Sequence, residues 1–265
     1  MAWKVNAAVI SSIGCIRKNN EDNFYFLGDY MLQEEMNDGA HIIHSTSVPH
    51  ELYAILDGVG GGDAGECASS MTAKLMSTWE GKIILNPEKE IEEVAKYASK
   101  AVFDESIRLS ARNMGTTMAL LYIHPNGALA ANVGDSRVYR LRAGKLEIMT
   151  QDHSHVYNMY LANKLTLEGA RKHRMSNVIT RYLGMDPDKM PEPFTYQNKF
   201  QIQKGDRYML CSDGVSDMMS HDELKKYLIR SNNANQTAED IVSMALELGG
   251  KDNTTCIIVD ICADK

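Results

Sequence analysis

At 265 residues, 44% hydrophobic and 24% charged, the chain has an ordinary globular composition and enough length to bury a core without disulfide staples. Its net charge of −7 argues against nonspecific nucleic-acid binding, which needs a basic face, and no run approaches the 18 uninterrupted apolar residues of a membrane span. Cys15, Cys67, Cys211, Cys256 and Cys262 form no CxxC, and "MAWKVNAAVI" lacks a signal-peptide h-region, so a reducing, cytoplasmic location is expected.

In chain order, "WKVNAAVI" and "NFYFL" read as strands, and the polar stretch 28–50 reads as a long surface loop. "ELYAILD" is a buried strand that stops at a glycine cluster. A helix follows, with Cys67, Ala68, Met71 and Leu75 on one face. Asn86-Pro87 caps and opens a second helix, carrying Ile91, Val94, Ala95, Ala98 and Val102. Four strands come next: "TTMALLYIH", "ALAANV", "RVYRLRAG" and "KLEIM". Residues 151–176 look helical, and hold Lys164, Arg171, Lys172 and Arg174 against one Glu168, a solvated face or a binding surface. "FTYQNKFQI" and "DRYMLCS" are strands. Ser220 and Glu223 form a capping box for a helix with Leu224, Tyr227 and Leu228. Thr237 caps a helix that stops at Gly249-Gly250, and "TTCIIVDIC" is the last strand. Strands do not alternate one-for-one with helices, so a doubly wound parallel sheet is not expected. The order fits an α+β fold, with antiparallel sheets covered by helix pairs in one domain over 1–265.

Acidic residues recur at the strand boundaries: Glu21 and Asp22 before "NFYFL", then Asp57, Asp135, Asp213 and Asp252. Any one Asp-Gly is a turn signal. Six such positions are harder to assign to turns alone. If they converge, two carboxylates about 4 Å apart repel by roughly 4 kcal/mol at an effective dielectric of 20, which hard divalent cations would relieve. With oxygen donors and no histidine cluster, Mg²⁺ or Mn²⁺ is favoured over Zn²⁺.

Eight stretches, in order, resemble the metal-dependent protein serine/threonine phosphatases of type 2C, in their compact bacterial form: "GCIRKNNED", "LDGVGGGDAGE", "MGTTMAL", "NVGDSRVYR", "MTQDHS", "NVITRYLG", "CSDGVSD" and "KDNTT". The resemblance spans nearly the whole chain. It implies a four-layer α-β-β-α sandwich, two stacked antiparallel sheets flanked by helix pairs, with two core Mn²⁺ or Mg²⁺ ions in a cleft at one end. By this match Asp57 bridges the ions, the Gly58 carbonyl helps hold the second, and Asp213 and Asp252 complete the first site. Glu21 and Asp22 would hold metal-bound waters or ligate directly, and Asp135, Asp213 and Asp217 would form a third, weaker site. Arg17 would bind the substrate phosphate, although by spacing alone it could pair with Glu21. The implied chemistry is in-line hydrolysis of phosphoserine or phosphothreonine by a metal-activated water. Catalysis would centre on Arg17, Asp57 and Asp213.

The segment 151–176 matches the family's flap beside the active site, where Arg171, Lys172 and Arg174 could hold the substrate peptide. Phosphorylated proteins are the implied substrates, a serine/threonine kinase the implied pathway partner, and a monomer the implied state. Neither nucleic acid nor membrane is an expected partner. Many members carry His after the first Asp-Gly. Here Val59 stands there, and no protein general acid is assigned.

Competing readings are weaker. "GGGDAG" (60–65) satisfies GxGxxG, but Asp57 and Asp63 carry the wrong charge for a pyrophosphate, and a second helix follows where a parallel strand should. Glu66 occupies the P-loop lysine position. There is neither a Cys-x5-Arg signature nor a GxSxG elbow. His153 and His155 read as surface or packing residues. A catalytically silent metal-binding regulator with the same fold is the functional alternative.

Overall fold

Alternation along one strand sets the layering. In Glu51–Val59, Tyr53 and Ile55 face one hydrophobic cluster while Leu52, Ala54 and Leu56 face another, as a period of two requires. The computed structural model describes residues 3–47, 49–60, 64–111, 113–231 and 233–262. Its strands are β1 (Lys4–Ser12), β2 (Asp22–Phe26), β3 (Ala40–Thr46), β4 (Glu51–Val59), β5 (Gly115–Thr116), β6 (Met118–His124), β7 (Gly127–Val133), β8 (Arg137–Arg142), β9 (Lys145–Ile148), β10 (Tyr196–Phe200), β11 (Arg207–Cys211) and β12 (Thr254–Cys262). Its α-helices are α1 (Gly65–Leu85), α2 (Pro87–Leu109), α3 (His155–Leu161), α4 (Leu167–Arg171), α5 (Asp213–Ser216), α6 (His221–Arg230) and α7 (Ala234–Glu247).

Every strand pairing among the described residues is antiparallel, and the strands form two sheets, β3-β1-β12-β11-β8-β9 and β10-β7-β6-β4-β2, with β5 on β4. Val5, Ala7 and Val9 from one sheet meet Phe24, Phe26, Tyr53 and Ile55 from the other in a buried inter-sheet core. On the outer faces, Leu52 and Leu120 pack against Ile91 and Val94 of α2, and Met209 and Ile258 pack against Leu224 and Leu228 of α6 and Ile241 of α7. Each such side chain contributes roughly 1.5–3 kcal/mol when fully buried. The result is the expected α-β-β-α sandwich.

Three local expectations need correction. The 28–50 stretch is not a plain surface loop, because it contains a 3-10 turn over Gln33–Asp38 with Met36 buried, and strand β3. As an edge strand with only β1 beside it, β3 leaves Ile43 59% exposed while Ala40 and Ile42 pack on the inter-sheet core. Its half-solvated sequence therefore looks polar. Thr237 is not the cap of α7. Asn233 is, accepting from the Asn235 and Gln236 amides, while the Thr237 hydroxyl donates one turn back to the Asn233 carbonyl. The strand read as ending at Asp57 runs on two residues, β4 pairing with β5 through Gly58 and Val59, while Asp213 opens the short helix α5. The Ser220–Glu223 capping box and the proline-started α2 are as expected, although the Asn86 side chain makes no cap bond.

Candidate active site

Sheet register brings the acidic positions together. Asp22 lies directly opposite Asp57 across β2 and β4, and Cys211 lies opposite Cys256 across β11 and β12. The second pairing sets Ser212 beside Thr255, so Asp213 and Asp252 leave the same end of that sheet. One side chain ties the two sheets there, the Ser212 hydroxyl donating to Asp22 Oδ2 at 2.7 Å while accepting from the Thr255 amide.

Backbone bonds fix each acid in place. The Asp57 carbonyl accepts from Thr117 N and Thr116 Oγ1, and its amide donates to Thr117 Oγ1. Gly58 N donates to the Glu21 carbonyl, and a Cβ on Gly58 would lie 2.5 Å from that oxygen and 2.6 Å from the Gly65 carbonyl. No larger residue fits between them. Gly214 is as constrained, since its Cβ would lie 1.9 Å from the Asn253 carbonyl. Asp252 accepts from the Asn253 amide through one oxygen and from Arg17 Nη2, at 2.5 Å, through the other. Arg17 therefore bonds Asp252 and not Glu21.

The electrostatics follow from this crowding. Burial pushes Asp57 and Asp213 well above the usual carboxylate range, and neighbouring acids push further: Asp213, Asp22, Asp135 and Asp252 act on Asp57. Burial raises Asp22 and Asp135 to about 7 and Asp217 to about 6, with Arg137 and Arg171 opposing the rise at Asp217. Glu21 is also raised, by burial and then by Glu66. Burial works against the Arg17 charge, but Asp252, Glu21 and Asp213 more than offset it. Among the described residues no three His, Cys, Asp or Glu side chains form a finished metal cage. What converges is a set of mutually repelling oxygen donors with too few cations among them. Hard divalent ions suit that donor set.

The segment 151–176 folds as α3 and α4 against this centre. Arg171 holds Glu168 with Nε and Nη2 and donates from Nη1 to the Asp217 carbonyl, while Lys172 also pairs with Glu168. A cavity of about 340 Å³ is lined by Arg171 and Lys172 on one side and by Asp213, Asp217 and Asp252 on the other. Arg174 is exposed and does not line it. His153 packs inside, its Nδ1 accepting from Gly134 N, and burial lowers its pKa to about 4. Gly61, Gly62 and Asp63 lie outside the described residues.

Residues not singled out by sequence reasoning complete the arrangement. Arg137 grips Asp152 with two nitrogens at 2.6–3.0 Å and is nearly enclosed with it, beside Asp135 and Asp217. Ser212 and Asn253 each adjoin an aspartate that the sequence did flag. Their signal was position alone, next to Asp213 and Asp252.

Comparison with known proteins agrees with this geometry. The family model described as Protein phosphatase 2C matches residues 33–248. A serine/threonine phosphatase stp of Listeria welshimeri is 28% identical over 253 residues, covering 93% of this chain and 92% of the relative. The protein phosphatase PhpP of Streptococcus pneumoniae is 30% identical over 238 residues, 86% of this chain and 94% of the relative. The solved catalytic domain of the serine/threonine protein phosphatase PstP, in complex with two manganese ions, superposes with a TM-score of 0.76 at 26% identity over 98% of this chain and 99% of that one. On the strength of a family match over most of its length, and of relatives that align nearly end to end, the chain belongs to the protein phosphatase 2C family.

Proposed function

We propose that this chain is a metal-dependent protein serine/threonine phosphatase that hydrolyses phosphoserine and phosphothreonine in proteins. The observation that carries the reading is the gathering of Asp22, Asp57, Asp213 and Asp252 at one end of the sandwich with Arg17 on its rim. Asp57, Asp213 and Asp252, with the Gly58 carbonyl, would hold the two core ions, Mn²⁺ or Mg²⁺. Glu21 and Asp22 would support them, and Asp135 and Asp217, with Asp213, would suit a third ion. Bound cations would neutralise this charge and supply an activated water and a Lewis acid for phosphoryl transfer.

The chain's own residues do the rest. Arg17 offers a planar fork to the phosphate oxygens and can trade Asp252 for them. Gly58 and Gly214 let backbone close tightly behind the acids. The Arg137–Asp152 pair fixes the floor between this centre and the flap. Arg171 anchors the flap through the Asp217 carbonyl, leaving Lys172 and Arg174 to meet the substrate peptide. Val59 supplies no proton, so leaving-group protonation does not come from that position.

No helix among the described residues is long and apolar enough to cross a membrane. We place the enzyme in the cytoplasm as a monomeric single domain, opposing a serine/threonine kinase. No observation favours the silent-regulator alternative. The test is phosphate release from a phosphothreonine peptide with Mn²⁺. Release abolished by chelator and by Asp57→Ala supports the reading, and release indifferent to both rejects it.

A further inference from the structure

Asn253 is 5% exposed and uses its whole side-chain amide on backbone atoms of one distant loop. Nδ2 donates to the Ile13 carbonyl and to the Asn19 carbonyl, both at 2.9 Å, and Oδ1 accepts from the Glu21 amide at 2.8 Å. These three contacts bracket Arg17, which sits on the 13–21 loop between them. Its own backbone is equally committed. The Asn253 amide donates to Asp252 Oδ1, and its carbonyl closes over Gly214, next to Asp213.

We infer that Asn253 is a positioning residue for phosphate recognition: it sets the shape of the loop that presents Arg17, and registers that loop against Asp252 and Asp213. The inference rests on the proposed phosphatase reading for its kinetic consequence, but not for its structural one. Only an amide meets the demand. It must offer two N–H donors to two carbonyls and one acceptor to an N–H, and asparagine has that inventory at this reach. Aspartate would turn a carboxylate oxygen towards two carbonyl oxygens and add charge to an already acidic site. Serine would leave at least two of the three loop groups without this partner. Because all three bonds go to backbone, the loop's path is what Asn253 holds, and the guanidinium follows that path.

Arg17 meets phosphate in both the bound and the reacting states, so displacing it weakens binding more than turnover. In Asn253→Ser, KM for a phosphothreonine peptide should rise roughly 10- to 100-fold with kcat changed less than about threefold. In an Arg17→Ala background the same substitution should change KM by less than about twofold, because there is no guanidinium left to misplace. Independently of activity, hydrogen exchange should accelerate at residues 14–19 in Asn253→Ser and Asn253→Asp, with strands β4, β6 and β12 protected as in the parent. Equal KM effects in the two backgrounds, or unchanged exchange over 14–19, would overturn the inference. Accelerated exchange in these variants of a parent protein that itself releases no phosphate would leave the loop-holding role standing and reject the phosphatase reading instead.

Discussion

Arg17 Nη2 and Asp252 Oδ2 stand 2.5 Å apart at the mouth of the acidic cleft, with the guanidinium 46% and the carboxylate 28% exposed. The pair joins the two halves of the site, since one residue is expected to hold phosphate and the other metal. Its exposure makes the bond weak in net terms, about 0–1 kcal/mol, so either ligand can compete it away.

Removing the cation should therefore separate the two roles. Arg17→Ala is expected to raise KM for phosphopeptide roughly 10- to 100-fold, while Mn²⁺ binds at least as tightly as to the parent because a repelling positive charge has gone. Calorimetric Mn²⁺ titration beside steady-state kinetics reads both quantities. Weaker Mn²⁺ binding would mean that Arg17 supports the metal centre itself.

Asp213→Asn should abolish turnover yet stabilise the metal-free protein. Asp213 is held well above the normal carboxylate pKa by burial and by Asp135, Asp217 and Asp252, so its charge is a cost until cations arrive. In chelator, melting of the variant should occur about 2 °C or more above the parent. With saturating Mn²⁺ the order should reverse. A lower melting point in chelator would contradict the repulsion argument.

Glu51 gives a pH prediction away from the site. It is 1% exposed, one carboxyl oxygen has no hydrogen-bond partner, and the other accepts from Tyr53. Burial raises its pKa from 4.5 to about 7. The folded state thus holds the proton more tightly than the unfolded one. Its contribution is fully present below pH 4.5 and is lost as pH rises through about 7. The loss amounts to about 3 kcal/mol. Glu51→Gln should flatten this decline between pH 5 and 8 in denaturant titrations. An unchanged slope would show that Glu51 is not its source.

The flap cations should divide by their contacts. Arg171 is tied to Glu168 and to the Asp217 carbonyl, whereas Lys172, paired with Glu168, and Arg174 are exposed. Arg171→Ala should lower kcat/KM for phosphopeptide and for an aryl phosphate alike, through the flap's anchorage. Lys172→Ala with Arg174→Ala should lower it for the peptide, roughly 3- to 10-fold, and leave the aryl phosphate unchanged. Equal losses on both substrates from the second variant would remove the peptide-contact role.

Most of the fold was legible because its strands are buried runs and its long helices carry clear periodicity. Ile91, Val94, Ala95, Ala98 and Val102 were read at helical spacing and are all buried. β3 escaped because an edge strand with one solvent face has no strong apolar signature, and Asn233 because three polar residues in a row offered several caps. The acidic positions themselves were visible. Their convergence was not a property of any local stretch. It comes from the Asp22–Asp57 register and from the β11–β12 pairing, which bring together residues about 35 to 230 positions apart. Ser212 and Asn253 escaped for the same reason, since Ser212 bonds strand residues Asp22 and Thr255 and Asn253 bonds the 13–21 loop, all remote in sequence.

Manganese-edge anomalous diffraction from crystals of the Mn²⁺-loaded enzyme tests the central claim most directly. The account predicts two strong peaks within coordination distance of Asp57, one of them shared with Asp213 and Asp252. Peaks lying only elsewhere, with these three carboxylates contacting no metal, would contradict it.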